Sequence, residues 1–148
     1  MVNNEALFSS TLFDLKGQVA DLAAYRGKPL IVNFWARWCG PCKVEIPELI
    51  QLERRNTGVQ VIGLNIESNA EAVREFAYAY DVNYPVFLTR ESGLPLMQML
   101  GNAKKALPFT IVINAQGKMV SSHIGLLSRE LIDSAVNMAK SVGVSLTP

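Results

Sequence analysis

The two cysteines of this chain, Cys39 and Cys42, have only Gly40 and Pro41 between them, and there is a single histidine, His123. Four kinds of chemistry use such a Cys-x-x-Cys pair. A structural zinc site takes four ligands, and beyond these thiols the sequence offers only His123 and carboxylates, so zinc fits poorly and no metal is expected. Covalent haem attachment wants a histidine directly after the second cysteine, where Lys43 stands. A structural staple is weak, because so small a loop removes little entropy from the unfolded chain. Redox exchange fits the placement. A thiolate in the first turn of a helix meets unpaired backbone N–H groups and the positive end of the dipole, which makes Cys39 the expected attacking sulfur. Cys42, one turn inside and more covered, would break a mixed disulfide by attacking Cys39. Gly40 permits close approach of a partner, and Pro41 suits a first-turn position that needs no N–H.

The pair must then lie where a strand gives way to a helix. Leu30 to Trp35 is a compact run rich in β-branched and aromatic residues, as in a strand covered on both faces. After the cysteines, Val44, Ile46, Leu49, Ile50 and Leu52 recur at near-helical spacing up to a polar break at Arg54 to Gly58. Around this unit the pattern predicts a short hairpin over Leu12 to Leu22 turning at Lys16-Gly17, ahead of the Gly27-Lys28-Pro29 punctuation. It predicts strands over Val59 to Leu64 and Tyr84 to Leu88. Between them, Ser68 and Glu71 have capping-box spacing and open a helix with Ala72, Phe76 and Ala77 on its apolar stripe. Gly93 to Leu100 is weakly helical, and Gly101 to Leu107 is a loop leading to Pro108. Strands over Phe109 to Ile113 and Lys118 to Ile124 flank a turn at Asn114 to Gly117. Ser128 caps a last helix faced by Leu131, Ile132, Ala135, Val136 and Met138, and the tail from Ser141 is expected to fray. The order argues for an α/β domain with a mixed sheet between helices.

Composition agrees. The 148 residues suit one domain with a real core, and 49% hydrophobic against 18% charged residues excludes a disordered chain. Fourteen basic against thirteen acidic residues leave a net charge of +1, so nucleic acid is not an expected partner. Met1 to Ser10 has no basic segment followed by a long apolar run, and it does not read as a leader or anchor.

Phe34-Trp35-Ala36-Arg37-Trp38-Cys39-Gly40-Pro41-Cys42-Lys43 resembles the active-site segment of the thioredoxin superfamily, and Glu45-Ile46-Pro47 extends the likeness to its TlpA/ResA-like branch of thiol:disulfide oxidoreductases. Gly27-Lys28-Pro29, Ile111, Asn114, Gly117 and Gly125 continue it, over residues 12–142 of one domain spanning 1–148. The resemblance implies a thioredoxin fold with an N-terminal β-hairpin and an inserted strand-helix unit between Val59 and Leu88. It makes Cys39 the nucleophile and Cys42 the resolving thiol, and Pro108 a cis-proline whose neighbour Leu107 faces the site. An extended substrate segment would add there as a short strand. Trp38 would contact partners and, with Gly40 and Pro41, line the substrate approach, whereas Trp35 reads as core.

Asn33 departs from thioredoxins proper, which tend to carry a buried acid there, and this argues against a general cytosolic thioredoxin. Glu45, one turn beyond Cys42, is associated in the branch with active-site proton traffic; the alternative is a residue that merely complements the helix N-terminus. Arg37 and Lys43 read as a solvated face before a tuning pair. Pro47 is expected to kink its helix. His123 is expected far along the sheet from Cys39, as a surface or satisfied side chain, and Met97, Met99 and Leu100 read as a core patch.

The implied activity is reduction of protein disulfides, with no cofactor beyond the Cys39–Cys42 dithiol. The direction follows from Gly40-Pro41, since a histidine between the cysteines would favour an oxidant. No glycine-rich dinucleotide fingerprint is present, so electrons would come from another protein, by resemblance a membrane-embedded thiol donor. Cytochrome c apoproteins are among the implied acceptors. The implied setting is periplasmic or extracytoplasmic, with an anchor or leader ahead of this chain, and the expected state is a monomer. Thiol peroxidase fits less well, since those sites place a threonine before a single cysteine. A non-catalytic binding module or chaperone is the remaining alternative.

Overall fold

The computed structural model describes residues 4–141. The tail expected to fray lies, apart from Ser141, outside the described residues. Seven strands form one mixed sheet: β1 (Leu12–Phe13), β2 (Val19–Ala20), β3 (Leu30–Trp35), β4 (Gln60–Asn65), β5 (Val86–Leu88), β6 (Phe109–Ile113) and β7 (Met119–Ile124). Their order is β2-β1-β5-β4-β3-β6-β7. β3 pairs parallel with β4 and antiparallel with β6, so it is central, and every one of its residues is buried, as its unbroken apolar run requires. The hairpin β1–β2 docks on β5 through Phe13 and Leu88.

Alternation along β3 sends its side chains to two cores. Ile31 and Trp35, with Val61 and Val112, pack beneath α2 (Gly40–Arg54), α3 (Ala70–Ala79) and α5 (Arg129–Lys140). Leu30, Val32 and Phe34, with Ile62, Leu64 and Ile111, meet Leu7 and Phe8 of α1 (Glu5–Ser9) and Leu96 and Met97 of α4 (Gly93–Met99). Gly63 of β4 sits where a β-carbon would come within 3.1 Å of Trp35 Nε1 and 3.2 Å of a Tyr84 ring carbon. The missing side chain is what lets these two aromatics occupy one layer.

Local details differ from the sequence expectations. The short α1 was not expected; it has no side-chain cap and is held by burial of Leu7 and Phe8. The cap of α3 is Asn69, whose Oδ1 accepts the Ala72 N–H at 3.0 Å, and not Ser68; the buried positions become Val73 and Ala77. Ser128 caps α5 as expected, accepting from Leu131 at 3.1 Å. However, the buried face of α5 is Ile132, Ala135, Val136 and Ala139, because the helical period leaves Leu131 and Met138 on its exposed flanks. Met97 and Leu100 are buried and Met99 is exposed. Pro47 lies inside α2, which continues to Arg54.

Candidate active site

The site begins where β3 ends. Cys39 is the N-cap residue of α2, with extended backbone, and its Sγ accepts the Cys42 N–H at 3.3 Å. Pro41 sits in the first turn, where a backbone donor would have no helical partner. Cys39 and Cys42 are joined in a disulfide with their Cα atoms 5.3 Å apart. Cys42 is fully buried, whereas Cys39 keeps a small exposed area and is followed by exposed Gly40. Trp38, just before it, is 68% exposed, the most open aromatic near the pair.

Two loops are braced around this turn. Glu67, after β4, accepts the Arg37 backbone N–H at 2.7 Å and Arg37 Nε at 2.9 Å, while its Oε2 also takes Asn65 Nδ2 at 3.0 Å. Arg37 is therefore committed to Glu67 rather than left as a solvated face. On the other side, buried Asn102 closes the 101–107 loop, donating to the Ala106 carbonyl at 2.8 Å and accepting from the Ala106 N–H at 3.2 Å. That loop leads into the Leu107–Pro108 peptide, which is cis. Pro108 O accepts the Gly125 N–H at 2.8 Å, so the turn after β7 lies against it. Among the described residues neither the N–H nor the C=O of Leu107 has a hydrogen-bond partner.

Beneath the cysteines lies a polar row in an otherwise apolar layer. Register places Asn33 beside Thr110, and Thr110 beside His123, across β3, β6 and β7. Asn33 Nδ2 donates to Glu45 Oε1 at 2.9 Å and to Thr110 Oγ1 at 3.0 Å, and the Leu127 N–H donates to Glu45 Oε2 at 2.7 Å. Glu45 is thus fully buried with both oxygens bonded across to the sheet and to the turn before α5. It is not turned back on its own helix terminus. Burial pushes its carboxyl above the usual range, opposed by the Leu127 and Asn33 donors and by the charge of His123. The acid that Asn33 lacks is supplied to the same space from α2.

His123 lies on the edge strand β7, half-buried and satisfied as expected, with Nε2 3.2 Å from the Leu126 carbonyl; the β6–β7 register also sets it on the row that ends at Glu45, a link not expected from sequence. Glu67, Asn102 and Thr110 were also not singled out from sequence, because each acts through loop closure or cross-strand register rather than through spacing.

The model of the family described as Redoxin matches residues 2–140. The chain belongs to the Redoxin family. It is 32% identical over 131 residues to the thiol-disulfide oxidoreductase ResA of Bacillus subtilis, covering 87% of this chain and 71% of that one. Among solved structures, a thioredoxin-family thiol:disulfide interchange protein from Chlorobium tepidum matches with a TM-score of 0.72 and 26% identity, over 87% of this chain and 91% of that one. A secreted Mycobacterium tuberculosis disulfide oxidoreductase, described as homologous to Escherichia coli DsbE, shares the fold with a TM-score of 0.74 at 22% identity, over 91% and 98% of the two chains. The fold is the thioredoxin fold, and this Redoxin-family protein is a thiol-disulfide oxidoreductase whose redox pair is Cys39 and Cys42. Among the described residues no helix is long and apolar enough to cross a membrane.

Proposed function

We propose that this oxidoreductase works as a reductant of protein disulfides, with Cys39 as nucleophile, Cys42 as resolving thiol and Glu45 as the group that takes the Cys42 proton. The observation that carries the reading is the stacking of three groups on α2. Cys39 Sγ stands at the N-cap, where the Cys42 N–H meets it, Cys42 is buried one turn in, and the Glu45 carboxyl is buried on the same side. A Cys39 thiolate, stabilised by that N–H and by the helix end, attacks one sulfur of a substrate disulfide. The substrate's other sulfur leaves and is protonated. Cys42 then gives its proton to the Glu45 carboxylate, attacks Cys39 Sγ and releases the second substrate thiol. Two electrons have passed to the substrate, and the Cys39–Cys42 disulfide remains.

Leu107, with its free backbone groups, supports docking of an extended substrate segment beside cis Pro108, with Trp38, Gly40 and Pro41 as the rest of the contact surface. Re-reduction falls to a membrane-embedded dithiol donor, and the setting we favour is extracytoplasmic, with cytochrome c apoproteins among the acceptors and the protein acting as an anchored monomer. The dithiol is its only redox group, without metal or other cofactor.

The deciding experiment is trapping. Reduced Cys42→Ser incubated with a disulfide-bonded protein should accumulate a mixed disulfide through Cys39, and Cys39→Ser should accumulate none. Capture through Cys42 instead would reverse the assigned roles.

A further inference from the structure

The imidazole of His123 and the carboxylate of Glu45 are bound to opposite ends of one peptide group. His123 Nε2 lies 3.2 Å from the Leu126 carbonyl oxygen, and the N–H of that same Leu126–Leu127 peptide donates to Glu45 Oε2 at 2.7 Å. A carbonyl oxygen only accepts, so the proton between His123 and Leu126 is on Nε2, in the neutral ring or in the imidazolium. A peptide whose carbonyl is bonded is a stronger donor at its N–H, because chained hydrogen bonds polarise one another.

We propose that His123 is a positioning residue for Glu45: by holding the Leu126 carbonyl it fixes and polarises the peptide whose N–H binds the buried carboxylate. This rests on the reading of Glu45 as the proton acceptor for Cys42. The surroundings favour a defined role for the ring. A cavity of about 130 Å3 is lined by Thr110, His123, Leu127, Ser134 and Met138 among others, and among the described residues His123 is its only ionisable lining group. The charge of His123 reaches Glu45 and favours the carboxylate. The other group that meets the Glu45 charge is buried Tyr84, ahead of β5. Glu48 of α2 and Arg129 of α5 are paired with each other at the surface.

The test uses the reduced full chain mixed with dithiobis-nitrobenzoate in a stopped-flow instrument, where a second burst of nitrothiobenzoate reports Cys42 resolving the Cys39 adduct. Its rate is followed against pH. Glu45→Gln should remove the carboxylate-linked inflection. His123→Ala should move that inflection up by about half a pH unit, the scale of one net hydrogen bond. His123→Gln, which keeps an N–H for Leu126, should move it less. Adding His123→Ala to Glu45→Gln should change nothing further. An inflection that stays put in His123→Ala, or moves as far in His123→Gln, overturns the role of His123 while leaving Glu45 intact. The same holds if His123→Ala alters Glu45→Gln as much as the parent. An unchanged profile in Glu45→Gln overturns the proton-acceptor reading itself.

Discussion

Asn33 donates from Nδ2 to Glu45 Oε1 at 2.9 Å, joining the central strand to α2 by a buried bond between an amide and a carboxyl. The amide can supply a donor without adding a charge, so Glu45 is the one acid of the buried row. Asn33→Asp would put two carboxyls in contact where both cannot ionise together. Its upper apparent pKa should lie above that of Glu45 in the parent, and the pH profile of Cys42 resolution should move upward with it. Stopped-flow resolution kinetics against pH check this; an unmoved or lowered inflection would show that Glu45 does not feel position 33.

Burial raises the Glu45 carboxyl above its ordinary value of 4.5, which gives the stability of the oxidised protein a definite pH slope. The native state holds this proton more tightly than the unfolded chain. The associated stability is therefore complete below the unfolded value and is lost as pH rises through the folded one. Glu45→Gln removes that contribution. The stability difference between parent and Glu45→Gln should shift against the parent as pH climbs through this window, by at most about 1.4 kcal/mol per pH unit for one proton. Urea unfolding of both proteins across the window measures it, and a difference that is flat with pH would contradict the buried, raised carboxyl.

Glu67 holds the turn before Cys39 from outside the motif. Replacing it with Ala strips a partner from the Arg37 backbone N–H, the Arg37 side chain and Asn65 together. Arg37→Ala loses only the side-chain bond and leaves the backbone bond to Glu67. We expect Glu67→Ala to cost about 1–3 kcal/mol and Arg37→Ala less than about 1 kcal/mol, since the Arg37–Glu67 pair is partly exposed. Glu67→Ala should also slow disulfide reduction more than Arg37→Ala does. Chemical denaturation and steady-state reduction assays separate the two; equal effects would place the brace in the ion pair alone.

How much of this was legible in the chain depends on what each residue responds to. Cys39 and Cys42 were legible because their chemistry is set by spacing of three at a helix start, and the strand Leu30 to Trp35 because a doubly covered strand cannot avoid an unbroken apolar run. Glu45 was legible as a position on α2, but not its partners, since Asn33 and Leu127 reach it through sheet register and chain return. Asn69 displaced Ser68 as a cap because both residue types cap well and only the backbone decides between them. His123 was legible as a satisfied side chain away from Cys39, but its link to Glu45 was not: β7 pairs with β6, which pairs with β3, so two register steps bring it to the Asn33 row.

Trp38 separates recognition from chemistry. At 68% exposure it contributes little buried surface to the fold, so Trp38→Ala should leave unfolding free energy within about 0.5 kcal/mol of the parent. Its ring instead supplies apolar area beside Cys39 at small conformational cost, the property that makes exposed tryptophan a frequent anchor in protein contacts. A protein substrate should lose more from its removal than a small disulfide that reaches only the sulfurs. We expect reduction of a folded protein disulfide to fall at least about tenfold, the effect of roughly 1.4 kcal/mol, while reaction with dithiobis-nitrobenzoate changes far less. Parallel rate measurements on the two substrates test it. Equal losses on both would mean that Trp38 tunes Cys39 itself, and no loss on either would move the docking surface away from this side of the disulfide.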